Sequence, residues 1–205
     1  MIKNPYPGKF IVFEGLDGSG QSTQTRLLKD FLTKKGYQVV STKEPTFSSK
    51  AGKKIRAILK RAVDVRAQQL QKLFAQDRKE HLEKLIIPAL KEGKIVISDR
   101  YFFSSFAYGR ASGLNLKWLI KINDEFLLPD ITLLLKVSPK ICLERIKKRK
   151  RKKTLFEEKE ILEEVWKNYQ KLTKKFGSIY VINGEKARDK VFKEIKKIIE
   201  AKLLS

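Results

Sequence analysis

One cysteine and one histidine are all that the 205 residues hold. The lone cysteine, Cys142, excludes an intrachain disulfide and fits a reducing compartment. With His81 as the single imidazole, no Cys/His metal cluster can form, and any bound metal should be a hard cation held by oxygen atoms. Long apolar runs are missing too: nothing approaches the roughly 20 residues of a membrane helix. Met1 to Lys9 lacks the apolar stretch of a secretory signal, so a cytoplasmic protein with no membrane partner is expected. Acidic residues are scarce, 23 against 46 Lys and Arg, which leaves a formal charge of +23. Such a field attracts polyanions, whether nucleotides, nucleic acid or an anionic surface, and says nothing about fold.

What is present reads as one globular unit over residues 1–205, since no repeat and no Pro/Gly/Ser-rich linker divides the chain. Strand and helix patterns alternate. Lys9–Glu14 is a short apolar run ending at Gly15, followed by an amphipathic helix to about Lys35. Strands are also expected at Tyr37–Thr42, Lys94–Ser98, Ile131–Val137 and Ser178–Asn183. Arg66–Glu92 carries the rhythm of one or two long helices, interrupted near Pro88. Ser138-Pro139 reads as a helix cap with proline in the first turn, and Ala187–Leu204 as a closing helix. Apolar strands without clear alternation, separated by helices, predict a parallel sheet of about five strands covered on both faces. That is a three-layer α/β fold, with ligands beyond the carboxyl ends of the strands. The densest basic run, Lys147–Lys153, lies between two helices and is expected to belong to a lid over about 147–155.

Gly15-Leu16-Asp17-Gly18-Ser19-Gly20-Gln21-Ser22-Thr23 links the first strand to the first helix, the setting a phosphate-binding loop requires. Glycines let successive N–H groups converge on a phosphate, and the helix N-terminus adds positive potential. Ser22 stands where a hydroxyl would ligate Mg2+. Gln21 occupies the position where G-x-x-x-x-G-K-[ST] has lysine. A neutral amide donor gives roughly half the strength of a charge-assisted bond. Either catalysis is slower, or another cation supplies the charge, and the lid offers candidates.

Phe13 to Gln24 closely resembles the thymidylate kinase phosphate loop, FEGxDGxGKSTQ, apart from the lysine. Lys43-Glu44-Pro45, Leu73 to His81 (LFAxDRxxH) and Asp99 to Tyr108 (DRYxxSSxAY) follow in the order of that family. Leu128-Pro129-Asp130 and Leu143 to Ile146 match as well, so the resemblance spans nearly the whole chain. It implies a P-loop nucleoside monophosphate kinase fold, a homodimer, and ATP, Mg2+ and dTMP as ligands. By the same resemblance Phe74 stacks on thymine and Arg78, four residues on and on the same helical face, donates to its O4. Asp17 would meet the deoxyribose 3′-OH, and Arg100 the acceptor phosphate. Pro45, Ser104, Ser105 and Tyr108 would complete the acceptor pocket, and Asp99 would reach Mg2+ through water. That family takes a catalytic arginine from the phosphate loop or from the lid; with no basic residue between Gly15 and Gly20, the resemblance implies the lid, with Arg145, Arg149 and Arg151 as candidates. Gly109-Arg110 and Lys136 depart from the family pattern, which commonly has glutamine after the tyrosine and aspartate in the fourth strand. His81 reads as a packing or hydrogen-bonding residue and Cys142 as inert. The rival readings are a kinase for another nucleotide or deoxynucleoside, and a weakly active relative binding nucleotides or nucleic acid. The second is less favoured, because a pure binder needs neither Asp99-Arg100 nor Phe74/Arg78.

Overall fold

The computed structural model describes residues 1–148 and 154–203. Five strands, β1 (Lys9–Gly15), β2 (Val39–Lys43), β3 (Ile95–Asp99), β4 (Ile131–Lys136) and β5 (Ile179–Asn183), form one sheet in the order β2-β3-β1-β4-β5. Every ladder is parallel. The central strand explains the unbroken apolar run: Phe10 and Val12 face one core, Ile11 and Phe13 the other, and all four are fully buried. Helices α1 (Gln21–Lys34) and α9 (Arg188–Leu203) cover one face. The other lies under α4 (Ile87–Lys91), α5 (Phe102–Ala111), α6 (Leu116–Lys121), α7 (Pro139–Lys147) and α8 (Lys159–Lys175). The expected three layers are present. Because β1 pairs with β3 on one side and β4 on the other, the strand order reverses at its carboxyl end. This opens the crevice in which such sheets bind ligands.

Helix α2 (Lys50–Leu59) and helix α3 (Ala67–His81) pack against each other, and α3 also meets α5. The helix expected over Arg66–Glu92 does not break at Pro88. α3 runs through a π-helical turn, Leu82–Ile86, directly into α4, with Pro88 in its first turn. An α-helical proline collides with the carbonyl four residues back, and the wider π turn relieves that collision. Ser138 precedes α7 as expected, but its side chain makes no capping bond; its backbone N–H donates to Glu185 Oε1 at 2.7 Å. Helices α2, α5 and α6 had no counterpart in the strand-and-helix pattern read from the sequence.

Candidate active site

The phosphate loop is shaped by backbone conformations that few residues other than glycine adopt. Gly18 has φ 89°, and a Cβ there would lie 2.6 Å from the Cys142 carbonyl. Gly20, at φ 100°, turns the chain into α1. Thr23 N donates back to Gly20 O at 3.1 Å, which leaves the N–H groups of Gln21 and Ser22 at the open, anion-binding end of the helix. Cys142 supports the loop from beneath: burial pushes its thiol up to about 12, so it stays protonated and unreactive.

Where β3 ends, Asp99 Oδ2 accepts from Ser22 Oγ at 2.5 Å and from Lys43 Nζ at 3.1 Å. Two hard oxygens thus converge beside the phosphate loop. Among the described residues no group of three or more His, Cys, Asp or Glu could hold a metal ion. A short protein oxygen set completed by phosphates and water is how Mg2+ is usually bound, so Ser22 and Asp99 fit it.

Arg100 joins the two halves of the site. Its guanidinium donates to Gly15 O at 3.0 Å, Ser104 Oγ at 2.9 Å, and Asp17 Oδ1 and Gln21 Oε1 at 3.1 Å each. Its backbone has φ 78°, a left-handed conformation costing on the order of 1–3 kcal/mol, of the kind that clusters at functional sites. Tyr108 Oη donates to Asp17 Oδ2 at 2.9 Å and its ring lies 5.4 Å from the guanidinium. Beneath this set, Glu14 accepts from the N–H groups of Tyr101 and Ser104, and from Ser104 Oγ and Tyr169 Oη. Burial raises its carboxyl to about 7, against the opposing pull of Ser104, Arg100 and Tyr169.

Beside Arg100 opens a cavity of about 280 Å3. Asp17, Pro45, Phe74, Arg78, Arg100, Ser104, Ser105 and Tyr108 all line it. Arg78 is 1 % exposed and bonded to Glu44 Oε2 at 2.9 Å, Asn123 Oδ1 at 2.5 Å and Ser105 Oγ at 3.2 Å. His81 braces Glu44 through Nδ1 at 3.2 Å and Thr42 Oγ1 through Nε2 at 2.7 Å. Asp77, on α3, holds the loop after β2 by accepting from Thr46 N at 2.8 Å, Thr46 Oγ1 at 2.6 Å, and Ser49 Oγ. Ser49 in turn caps α2.

Several lining residues escaped the sequence reading: Lys43, Glu44, Phe47, Arg56, Tyr101 and Phe156. Lys43-Glu44 stood in a motif already recognised, so that signal was available. Phe156 was not accessible in this way, because its place over Tyr108, with ring centroids 5.1 Å apart, depends on how the chain after 153 returns to the pocket. Of the three candidate arginines, Arg145 donates to Ser19 O at 3.3 Å and Gly184 O at 3.2 Å, bridging the phosphate loop and the turn after β5. Arg149 and Arg151 lie outside the described residues, as does the middle of the expected lid.

A parallel sheet with a phosphate loop at its switch point, an Asp-Arg pair ending β3 and an acceptor-sized cavity alongside define a P-loop nucleotide kinase. Residues 13–195 match the family model described as "Thymidylate kinase". A probable thymidylate kinase of Thermococcus gammatolerans is 41 % identical, with 97 % of this chain and 99 % of that protein aligned. One from Pyrococcus horikoshii is 43 % identical over 96 % and 98 %. A thymidylate kinase of Caldicellulosiruptor saccharolyticus is 37 % identical over 94 % and 96 %. The chain belongs to the thymidylate kinase family.

Proposed function

We propose that this protein transfers the γ-phosphoryl group of ATP to dTMP, giving dTDP and ADP. The observation that supports it most is the convergence of eight acceptor-side residues around one cavity that meets the phosphate loop at Asp17 and Arg100. In this reading an oxygen of the dTMP phosphate attacks the γ-phosphorus. The bond to the β–γ bridging oxygen breaks, and its electron pair leaves with ADP. Arg100 holds the acceptor phosphate in line, and the loop backbone holds the donor. Mg2+, held near Ser22 and Asp99, would neutralise charge on the phosphate oxygens. Phe74 stacks on the thymine, and Arg78, clamped by Glu44, faces its O4. Tyr108, tied to Asp17, occupies space beside the deoxyribose where a 2′-hydroxyl would intrude. Arg145, Arg149 and Arg151 remain the lid cations proposed to close over the transferring group.

The same proposal takes residues 1–205 as one catalytic unit acting in the cytoplasm as a homodimer, the dimer resting on family resemblance. No helix among the described residues is long and apolar enough to cross a membrane. A coupled ADP-release assay with dTMP, dUMP, dCMP and thymidine tests the reading. Turnover is expected with dTMP at least equal to dUMP and dCMP far behind. Equal turnover of dCMP and dTMP would overturn the pocket assignment. Salt-dependent binding of duplex DNA without turnover would favour a nucleic-acid-binding role instead.

A further inference from the structure

The phosphate loop lacks the lysine that would place a positive charge on the donor phosphates. Gln21, in its place, is 5 % exposed; its Oε1 accepts from Arg100, and its Nε2 has no hydrogen-bond partner among the described residues. The cavity of about 120 Å3 over the loop is bordered by Gly18, Gly20, Gln21 and Ser22, and by two cations, Lys43 and Arg100. Arg100 is already engaged by four acceptors. Arg145 binds backbone carbonyls. Lys43 differs from both. It closes β2 in register with Asp99 on β3, and its side chain is 45 % exposed. Its one ion pair among the described residues, at 3.1 Å, is to the Asp99 oxygen that also accepts from Ser22.

We infer that Lys43 supplies from the neighbouring strand the charge that Gln21 cannot, binding the β- and γ-phosphate oxygens of ATP as a catalytic residue. The inference rests on the kinase reading above. Four methylenes carry the ammonium, so it can leave Asp99 for the phosphates without moving the sheet. No proton changes hands at Lys43: as the bridging bond breaks, the ammonium neutralises charge gathering on the departing ADP oxygens. The Gln21 amide is left as a neutral donor beside it.

The test compares Lys43→Met, Lys43→Arg and the double variant Lys43→Met/Gln21→Lys. At saturating dTMP, ATP and Mg2+, Lys43→Met should lower kcat about 10²-fold, the usual loss for one transition-state donor, with KM for dTMP nearly constant. Lys43→Arg should keep most of the rate, and the double variant should regain at least about tenfold. Gln21→Lys alone should add little, because two cations would compete for one place. The second readout is binding without turnover. Calorimetry with a β,γ-imido ATP analogue and with ADP should show Lys43→Met losing preference for the triphosphate and the double variant recovering it. That arm reports on Lys43 even if dTMP proves not to be the acceptor. Circular dichroism melting checks that each variant folds. A Lys43→Met kcat within about threefold of wild type overturns the inference. So does a deficit that disappears as Mg2+ is raised, which would make Lys43 only a counter-ion of Asp99.

Discussion

Arg78 and Gln21 are both buried polar side chains, 1 % and 5 % exposed, in the walls of adjoining cavities, and their surroundings treat them differently. Arg78 sits in a finished network. Glu44, Asn123 and Ser105 accept from it, the Tyr101 ring lies 5.1 Å away, and His81 steadies Glu44 from the far side. Gln21 has one accepted bond and an amide nitrogen without a partner among the described residues, and Ser19 Oγ beside it is in the same condition. The Arg78 end of this cavity therefore holds its geometry before anything binds, although Gln71 Oε1 and Tyr101 Oη on the same wall have no partner among the described residues. At the phosphate loop the Gln21 amide is not braced in this way and keeps a donor open to a bound oxygen. In the reading proposed above, preorganisation serves selectivity on one side of Arg100, and on the other Lys43 brings the charge that Gln21 lacks.

The largest expected effect comes from breaking the finished network. Arg78→Met takes the guanidinium from the buried Glu44 and leaves His81 beside it, a loss of about 3–5 kcal/mol. For a chain of this size that lowers Tm on the order of 10 °C. Adding Glu44→Gln should recover part of the loss, because the stranded charge is gone. Gln21→Met should cost under about 1 kcal/mol, since Asp17 still accepts from the same Arg100 nitrogen. Thermal melts of the four proteins measure the contrast. Equal losses for Arg78→Met and Gln21→Met would erase it.

Much of this asymmetry was legible in residue order. The phosphate loop, the Asp-Arg pair and the Phe74/Arg78 spacing are local patterns, and local patterns survive reading one residue after another. The central strands β1, β3 and β4 were readable for the same reason, since a strand buried on both faces must be apolar throughout, while the half-exposed edge strands β2 and β5 showed only as short runs between helices. The Glu44–Arg78–Asn123 clamp was not: its members are 34 and 45 residues apart in sequence, and nothing in their order says that they meet. Helix α5 was hidden because it is apolar nearly all round, with Phe102, Phe103, Phe106 and Ala107 all buried, so no amphipathic stripe marks it. The π turn before Pro88 was hidden by a proline that usually ends a helix.

A second, smaller effect tests the floor on which both sides stand. Glu14 titrates near 7 when folded, well above the usual carboxylate value of 4.5. Between those two values the folded chain binds more protons at this site than the unfolded chain. The neutral form's contribution is therefore complete below 4.5 and is lost as pH rises through 7. Stability at this site should fall with rising pH by up to about 1.4 kcal/mol per pH unit across that window. Urea titrations at pH 5 and pH 7.5, for wild type and Glu14→Gln, isolate the contribution as a difference of differences. A wild-type pH dependence matching that of Glu14→Gln would show that the hydroxyls of Ser104 and Tyr169 keep the carboxylate charged.

The smallest effect is the most selective, because it should appear on one side of Arg100 alone. Phe74 lies on the half-buried face of α3 among Leu70, Leu73 and Phe156, and it lines the acceptor cavity but not the phosphate-loop cavity. A thymine methyl in an apolar pocket is worth about 1–3 kcal/mol, so kcat/KM for dTMP should exceed that for dUMP by roughly 10–200-fold at most. Phe74→Ala removes the stacking surface. It should raise KM for dTMP by about tenfold, narrow the dTMP-to-dUMP ratio and leave KM for ATP within about threefold. Steady-state kinetics with each nucleotide varied in turn separates these terms. If KM for ATP rises in step with that for dTMP, Phe74 acts by holding α3 against the lid rather than by touching the base. In that case the division between the base-facing cavity and the phosphate-loop cavity fails where it should be sharpest.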